Sequence, residues 1–166
     1  MTVEVRVMEE RDWPAVAEIY RQGIETGNAT FETAVPSFET WNRAHHAHSR
    51  LVATTDGEVV GWAALSPVSA RRVYAGVAEV TVYVEETAQG KGVGRALLSG
   101  LVDESERNGC WSLRAAILSE NEASVALHER CGFRVVGYYE RVARDVQGNW
   151  RNATIMERRS RMVGVE

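Results

Sequence analysis

Between Thr87 and Arg95 the chain reads TAQGKGVGR, with glycines at 90, 92 and 94 around Lys91. Glycine lets a backbone bend so that successive amide N–H groups face one point, and a helix opening at that point adds unpaired amide donors and the positive end of its dipole. A turn of this kind binds phosphate. Spacing excludes two common phosphate loops. A Walker A loop would need glycine at 85 and serine or threonine at 92, where the chain has Glu85 and Gly92. A dinucleotide fingerprint would need G-x-G-x-x-G after the first strand and an acidic residue about twenty positions later, whereas this segment reads G-x-G-x-G after several strands. Taken alone, a glycine-rich turn is also an ordinary tight connection.

Other side chains could supply proton transfer or charge recognition. Glu79 lies in AEVTVYV and could serve as a base or face solvent as a plain strand carboxylate. His128 could move a proton, since an unperturbed imidazole titrates near pH 6.5. Arg71 and Arg72 could fork onto a carboxylate, or form a solvated turn. His45, His46 and His48 lack a third ligand of fixed spacing, so they are expected on a polar helix face and no metal is expected. His128 and Cys131 lack a third orienting group, and a packed thiol is the reading for Cys131. Trp13, Trp41, Trp62, Trp111 and Trp150 are not periodic and are expected chiefly in core or interface.

The elements that must position these groups follow from periodicity. Val3, Val5 and Val7 alternate with charged residues as in a half-buried strand, and Asp12 with Pro14 opens a helix to about Ile24. Residues 27–37 read as a loop bearing Phe31, before a short helix from Phe38 to Ser49. Leu51–Thr55 and Glu58–Leu65 form a hairpin about Asp56-Gly57. A polar crossover leads to a strand over Ala78–Val84, then a helix from Val93 that Gly109 stops, then a strand over Leu113–Leu118. Asn121 caps a helix ending at Cys131-Gly132, and strands over Phe133–Val142 and Ala153–Arg158 close the order β α α β β β α β α β β.

The chain has 166 residues, 45% of them hydrophobic, and carries no repeat or linker, so one domain over residues 1–166 is expected. Nineteen Lys and Arg against 23 Asp and Glu disfavour a nucleic-acid or membrane-surface partner. The start MTVEVRVMEERDW lacks the basic flank and apolar run of a signal peptide, and two cysteines make no disulfide scaffold, so a cytoplasmic address with free thiols is expected.

Gln89-Gly90-Lys91-Gly92-Val93-Gly94 resembles the Q/R-x-x-G-x-G/A pyrophosphate loop of the GCN5-related N-acetyltransferases, the GNAT superfamily. Asn121 through Phe133, NEASVALHERCGF, resembles that superfamily's N-x-x-x-x-x-L-Y-x-x-x-G-F helix, with His128 where tyrosine is common. The AEVTVYV segment, the Arg71–Tyr74 stretch and Gly148-Asn149-Trp150 are similar to the phosphinothricin and methionine sulfoximine acetyltransferase branch. The resemblance covers nearly the whole chain. It implies an α/β acyl-CoA acyltransferase fold whose mixed central sheet splays between strands 4 and 5 and is flanked by helices.

It also implies roles. Backbone groups of Val82, Tyr83 and Val84 would hold the pantetheine arm of acetyl-CoA and stabilise a developing oxyanion. Gln89, Gly90, Lys91, Gly92, Val93, Gly94 and Arg95 would hold the pyrophosphate, and Asn121 and Ser124 would also belong to the acetyl-CoA site. Glu79 would be the base and His128 a proton donor to the departing thiolate. Arg71, Arg72, Phe31 and Tyr74 would bind the acceptor, Arg71 matching the branch better, with Trp150 as a further apolar wall. The expected reaction is direct acetyl transfer to the amine of a small amino-acid analogue, by a homodimer. Another amine, such as a polyamine, an aminoglycoside or a protein N-terminus, is the alternative within the enzyme class; a non-catalytic acyl-CoA sensor is the alternative outside it. A basic acceptor would want an acidic pocket, which the paired arginines argue against.

Overall fold

The computed structural model describes residues 2–166. In chain order the elements are β1 (Glu4–Val7), α1 (Trp13–Glu25), α2 (Phe38–Ala44), β2 (Leu51–Thr55), β3 (Glu58–Pro67), β4 (Val77–Val84), α3 (Val93–Arg107), β5 (Ser112–Leu118), α4 (Glu122–Arg130), β6 (Arg134–Arg144) and β7 (Trp150–Arg159). The order expected from periodicity is the order observed. The seven strands form one sheet in the spatial order β1-β2-β3-β4-β5-β7-β6.

Every neighbouring pair is antiparallel except β4 and β5. Their parallel ladder is short: Val77 faces Ser112, Ala78 faces Leu113, Glu79 faces Arg114, and there it stops. Beyond Glu79, β4 continues against β3 as far as Val84, while β5 continues against β7 as far as Leu118. The two strands therefore part like a V with Glu79 at the apex, the splay between strands 4 and 5 that the resemblance implied.

Alternation along β4 assigns two faces to the sheet. Ala78, Val80, Val82 and Val84 join Leu97, Leu98 and Leu101 of α3 in one core. Tyr83 joins Trp62, Trp41, Val16 and Ile19 under α1 and α2, and by the same alternation Glu79 and Thr81 share that face. Fully burying each aliphatic side chain of α3 is worth about 1.5–3 kcal/mol, enough to fix the helix start where the glycine loop needs it.

Some boundaries differ from the periodicity reading. The helix begun at Phe38 ends at Ala44 instead of Ser49, because His45 adopts an extended conformation (φ −117°, ψ 152°). Its ring stacks on Trp41 at 4.4 Å and its Nδ1 lies 2.7 Å from the Trp41 carbonyl. The three histidines thus do not form a polar helix face; they lie on the connection to β2. At the other end of the chain β6 and β7 make a longer hairpin than expected, with Trp150 beginning β7 rather than completing a turn.

Candidate active site

The parting of β4 and β5 opens a cavity of about 410 Å³. Glu79 through Tyr83 form one wall and Ala115 through Leu118 the opposite one, with Asn121, Ser124 and His128 at the α4 end. Thr30, Phe31 and Glu32 close it from residues 26–37, and Tyr20, His45 and Trp62 line its aromatic side. Of the residues singled out from sequence, Phe31, Glu79, Val82, Tyr83, Asn121, Ser124 and His128 come together here.

Glu79 is solvent-accessible, yet it sits within a concavity whose walls displace much of its water. That desolvation raises its carboxyl pKa above the ordinary value. Such a carboxylate at the strand apex can accept a proton from an ammonium group. Further along the same face of β4, past Thr81, Tyr83 stacks on Tyr20 at 5.0 Å and on Trp62 at 5.1 Å, and burial raises the Tyr83 phenol pKa so that the ring stays neutral. Pairs of this kind contribute about 0.5–1.5 kcal/mol each beyond area burial, which makes this wall rigid.

His128 is only 5% exposed, packs edge-on to Phe133 at 5.1 Å, and holds the Ser124 carbonyl through Nδ1 at 2.7 Å. A carbonyl can only accept, so the proton is on Nδ1 and Nε2 carries a lone pair. Burial lowers the ring's pKa, against the smaller opposing effect of that hydrogen bond. The neutral ring near pH 7 is thus an acceptor at Nε2. Donation to a departing thiolate, the role read from sequence, would require an imidazolium that burial disfavours.

The glycine segment lies beyond the end of β4 and is held locally. Gln89 donates to the Val84 carbonyl at 3.3 Å and Lys91 Nζ to the Thr87 carbonyl at 3.1 Å. Gly90 and Gly92 have positive φ, 74° and 86°, and a Cβ built on either would meet nothing within 4 Å. Both thus face open space in front of α3, whose first free amides belong to Val93, Gly94 and Arg95. Asn121 uses its Oδ1 to cap α4, accepting from the Ser124 amide at 3.2 Å. These features fit an acetyl-CoA molecule: a gap for an added strand beside Val82–Val84 and an open nest of amides for pyrophosphate.

The chain belongs to the GNAT acetyltransferases. The model of the Acetyltransferase (GNAT) family matches residues 10–133, from the approach to α1 through the end of α4. With that membership come acetyl transfer as the activity and acetyl-CoA as the donor. The chain is 36% identical over 162 residues to a phosphinothricin N-acetyltransferase of Alcaligenes faecalis, a match covering 93% of this chain and 81% of that protein. It is 32% identical over 163 residues to an L-methionine sulfoximine/L-methionine sulfone acetyltransferase of Pseudomonas aeruginosa, covering 95% and 94%. A crystal structure of a GNAT superfamily phosphinothricin acetyltransferase from Sinorhizobium meliloti in complex with AcCoA superposes with a TM-score of 0.89 at 30% identity, covering 100% of this chain and 92% of that one.

In this GNAT fold Arg71, Arg72 and Tyr74 are not brought to the cavity wall. They occupy an exposed turn before β4, where the Arg71 guanidinium lies over the Tyr74 ring at 5.7 Å. Trp150 lines a neighbouring cavity instead. Sequence reasoning missed Tyr20 and Glu32 and did not place His45 and Trp62 here; all four reach the cavity from separate elements. Tyr20 and Trp62 belong to the hydrophobic cluster under α1 and α2, Glu32 and His45 do not, and the spacing of the four carries no local motif. Cys110 and Cys131 are free thiols, as expected. Among the described residues no group of three or more His, Cys, Asp or Glu is arranged to hold a metal, and no helix is long and apolar enough to cross a membrane.

Proposed function

We propose that this chain, as one N-acetyltransferase domain over residues 1–166, acetylates the amino group of a small amino-acid analogue such as phosphinothricin, methionine sulfoximine or methionine sulfone. One observation carries this reading: the β4–β5 ladder ends at Glu79, and the gap beyond it is a cavity lined on one side by that carboxylate and on another by Phe31. The named relatives support the acceptor class.

Acetyl-CoA supplies an activated thioester when bound. Amides of Val82–Val84 and of residues 90–95, with Asn121 and Ser124, would orient it, and a backbone N–H near Val82–Val84 would meet the charge developing on the carbonyl oxygen. Glu79 takes the proton that the acceptor's ammonium must lose before its nitrogen can attack, directly or through a water. With Nδ1 held on the Ser124 carbonyl, the neutral His128 ring would offer no proton at Nε2, so a departing thiolate would draw its proton from solvent at the open cleft. The resemblance would give the acceptor's acid group to Arg71, with Arg72 and Tyr74 beside it; all three stand on an exposed turn outside the cavity lining, so that contact would need the turn to move toward the cavity.

A second reading rests on the cavity's own charges. Glu32 and Glu79 line it, and among the lining residues there is no Lys or Arg, which favours a cationic acceptor such as a polyamine. The arginines that argued against an acidic pocket stand outside that lining. Thiol release from acetyl-CoA with a panel of phosphinothricin, methionine sulfoximine, methionine sulfone, ordinary amino acids and polyamines separates the two. Turnover of the amino-acid analogues with about a tenfold rise in acceptor KM for Arg71→Ala supports the first; turnover of polyamines alone overturns it.

The reading includes a homodimer in the cytoplasm. Edge strand β6 exposes Val136 at 52% and Tyr138 at 64%, an apolar face whose burial by a second copy would explain its composition. Sedimentation at micromolar concentration tests it.

A further inference from the structure

Residues 26–37 connect α1 to α2 and form the wall between two cavities. Thr30, Phe31 and Glu32 line the one at the β4–β5 gap and also a second, of about 600 Å³, beneath the β6–β7 hairpin. Within itself the segment has only short-range side-chain bonds, such as Asn28 N–H to Thr26 Oγ1 and Glu32 N–H to Thr30 Oγ1. Two such bonds do not select one conformation for a segment of this length.

What anchors its start comes from the far end of the chain. The Arg151 side chain is only 11% exposed. Its Nη1 donates to the Gly27 carbonyl at 2.9 Å and to Asp145 Oδ2 at 3.2 Å. Its Nη2 donates to Asn28 Oδ1 at 2.7 Å and to Glu120 Oε2 at 3.3 Å. One planar fork therefore joins the start of the 26–37 segment, the turn between β5 and α4, and the hairpin. Asp145 is itself set by accepting from the Gln147 and Asn149 amides at 3.0 and 2.9 Å. Asn121 adds a parallel tie, donating from Nδ2 to the Asn28 carbonyl at 3.3 Å.

We infer that Arg151 is a positioning residue for the acceptor: it clamps Gly27 and Asn28 against the β5–α4 turn and so fixes where Phe31 and Glu32 stand over the cavity. Four partners occupy its two terminal nitrogens, so it acts through the segment and does not touch substrate. Lysine can replace it only in part, because a point charge on a flexible stem does not hold carboxylates and carbonyls of three elements in one plane. The inference rests on the cavity being the acceptor site.

The test uses steady-state kinetics with an amine found active in the panel, acetyl-CoA affinity by calorimetry, and backbone hydrogen exchange. Arg151→Ala is expected to raise the acceptor KM about tenfold, with kcat within about threefold and acetyl-CoA affinity within about twofold. Exchange should quicken in residues 27–34 and stay unchanged in β4. Arg151→Lys should recover only part of the loss. Asn28→Ala, which leaves the ion pairs intact and guards against a misfolded Arg151 variant, should raise the acceptor KM about threefold, and the double variant should be no worse than Arg151→Ala alone. Unchanged acceptor KM in Arg151→Ala and Asn28→Ala, while Phe31→Ala impairs it, overturns the positioning role and leaves the cavity reading standing. Unchanged KM in Phe31→Ala overturns both. Exchange that quickens evenly across the sheet reduces Arg151 to a general structural part and overturns the inference.

Discussion

Two connecting segments flank the β4–β5 gap, and they are held in place in opposite ways. The glycine segment before α3 is set by its own residues: positive φ at Gly90 and Gly92, Gln89 folded back on Val84, and Lys91 on Thr87. The segment after α1 is set by Arg151 and Asn121, which lie 124 and 93 residues from their partners in it. The first is a site made of backbone, the second a wall made of side chains. On the proposed reading, donor recognition would rest chiefly on the backbone segment and acceptor recognition on the side-chain wall, with Asn121 touching both.

Glu79 belongs to neither segment, so Glu79→Gln sets the scale. It should lower kcat/KM about 100- to 1,000-fold with acetyl-CoA affinity nearly unchanged, and a smaller loss would remove the general-base assignment. The unprotonated carboxylate is the base, so the wild-type rate should rise with pH through a limb above the ordinary glutamate range, and that limb should vanish in Glu79→Gln. The stability effect has the opposite sense. Desolvation disfavours the charged form in the folded state, so Glu79 costs stability above its raised pKa and not below the unfolded one. Glu79→Gln should therefore melt slightly higher than wild type at pH 7 and no higher at pH 4.

Gly92→Ala probes the backbone side. The added Cβ has room, but φ of 86° in a non-glycine residue costs about 1–2 kcal/mol, so the loop should shift and acetyl-CoA affinity should fall about tenfold. The acceptor KM should not move; calorimetry beside kinetics reads both, and a joint loss would break the separation. Phe31→Ala probes the other side and should raise the acceptor KM about fivefold with acetyl-CoA affinity intact, since it removes part of one apolar wall. If acetyl-CoA binding weakened instead, Phe31 would belong to the donor site and the contrast between the segments would fail.

What could be read in advance follows the same division. The order of elements, the helix starts at Val93 and Asn121 and the tight glycine turn before α3 depend on residues within a few positions of one another, and they were legible. The helix begun at Phe38 was read too long because its end depends on Trp41 and Trp62 taking the His45 ring, contacts that no local pattern contains. For the same reason Tyr20 and Glu32 escaped notice, and His45 and Trp62 were read without their place in the cavity. His128 was visible as a residue, but its protonation was not: that depends on a carbonyl one helical turn away and on burial under Phe133.

The elements and the glycine turn before α3 were already written into the order of residues, because glycine conformations, caps and strand alternation act over short distances along the chain, and the family was legible in the resemblance carried by residues 89–94 and 121–133. Folding added the rest: the β4–β5 ladder ends at Glu79, two glutamates and an aromatic wall share one cavity while the paired arginines stand outside its lining, and Arg151 holds the segment bearing Phe31. Those outcomes depend on distances between residues far apart in the chain, which exist only once the sheet has formed.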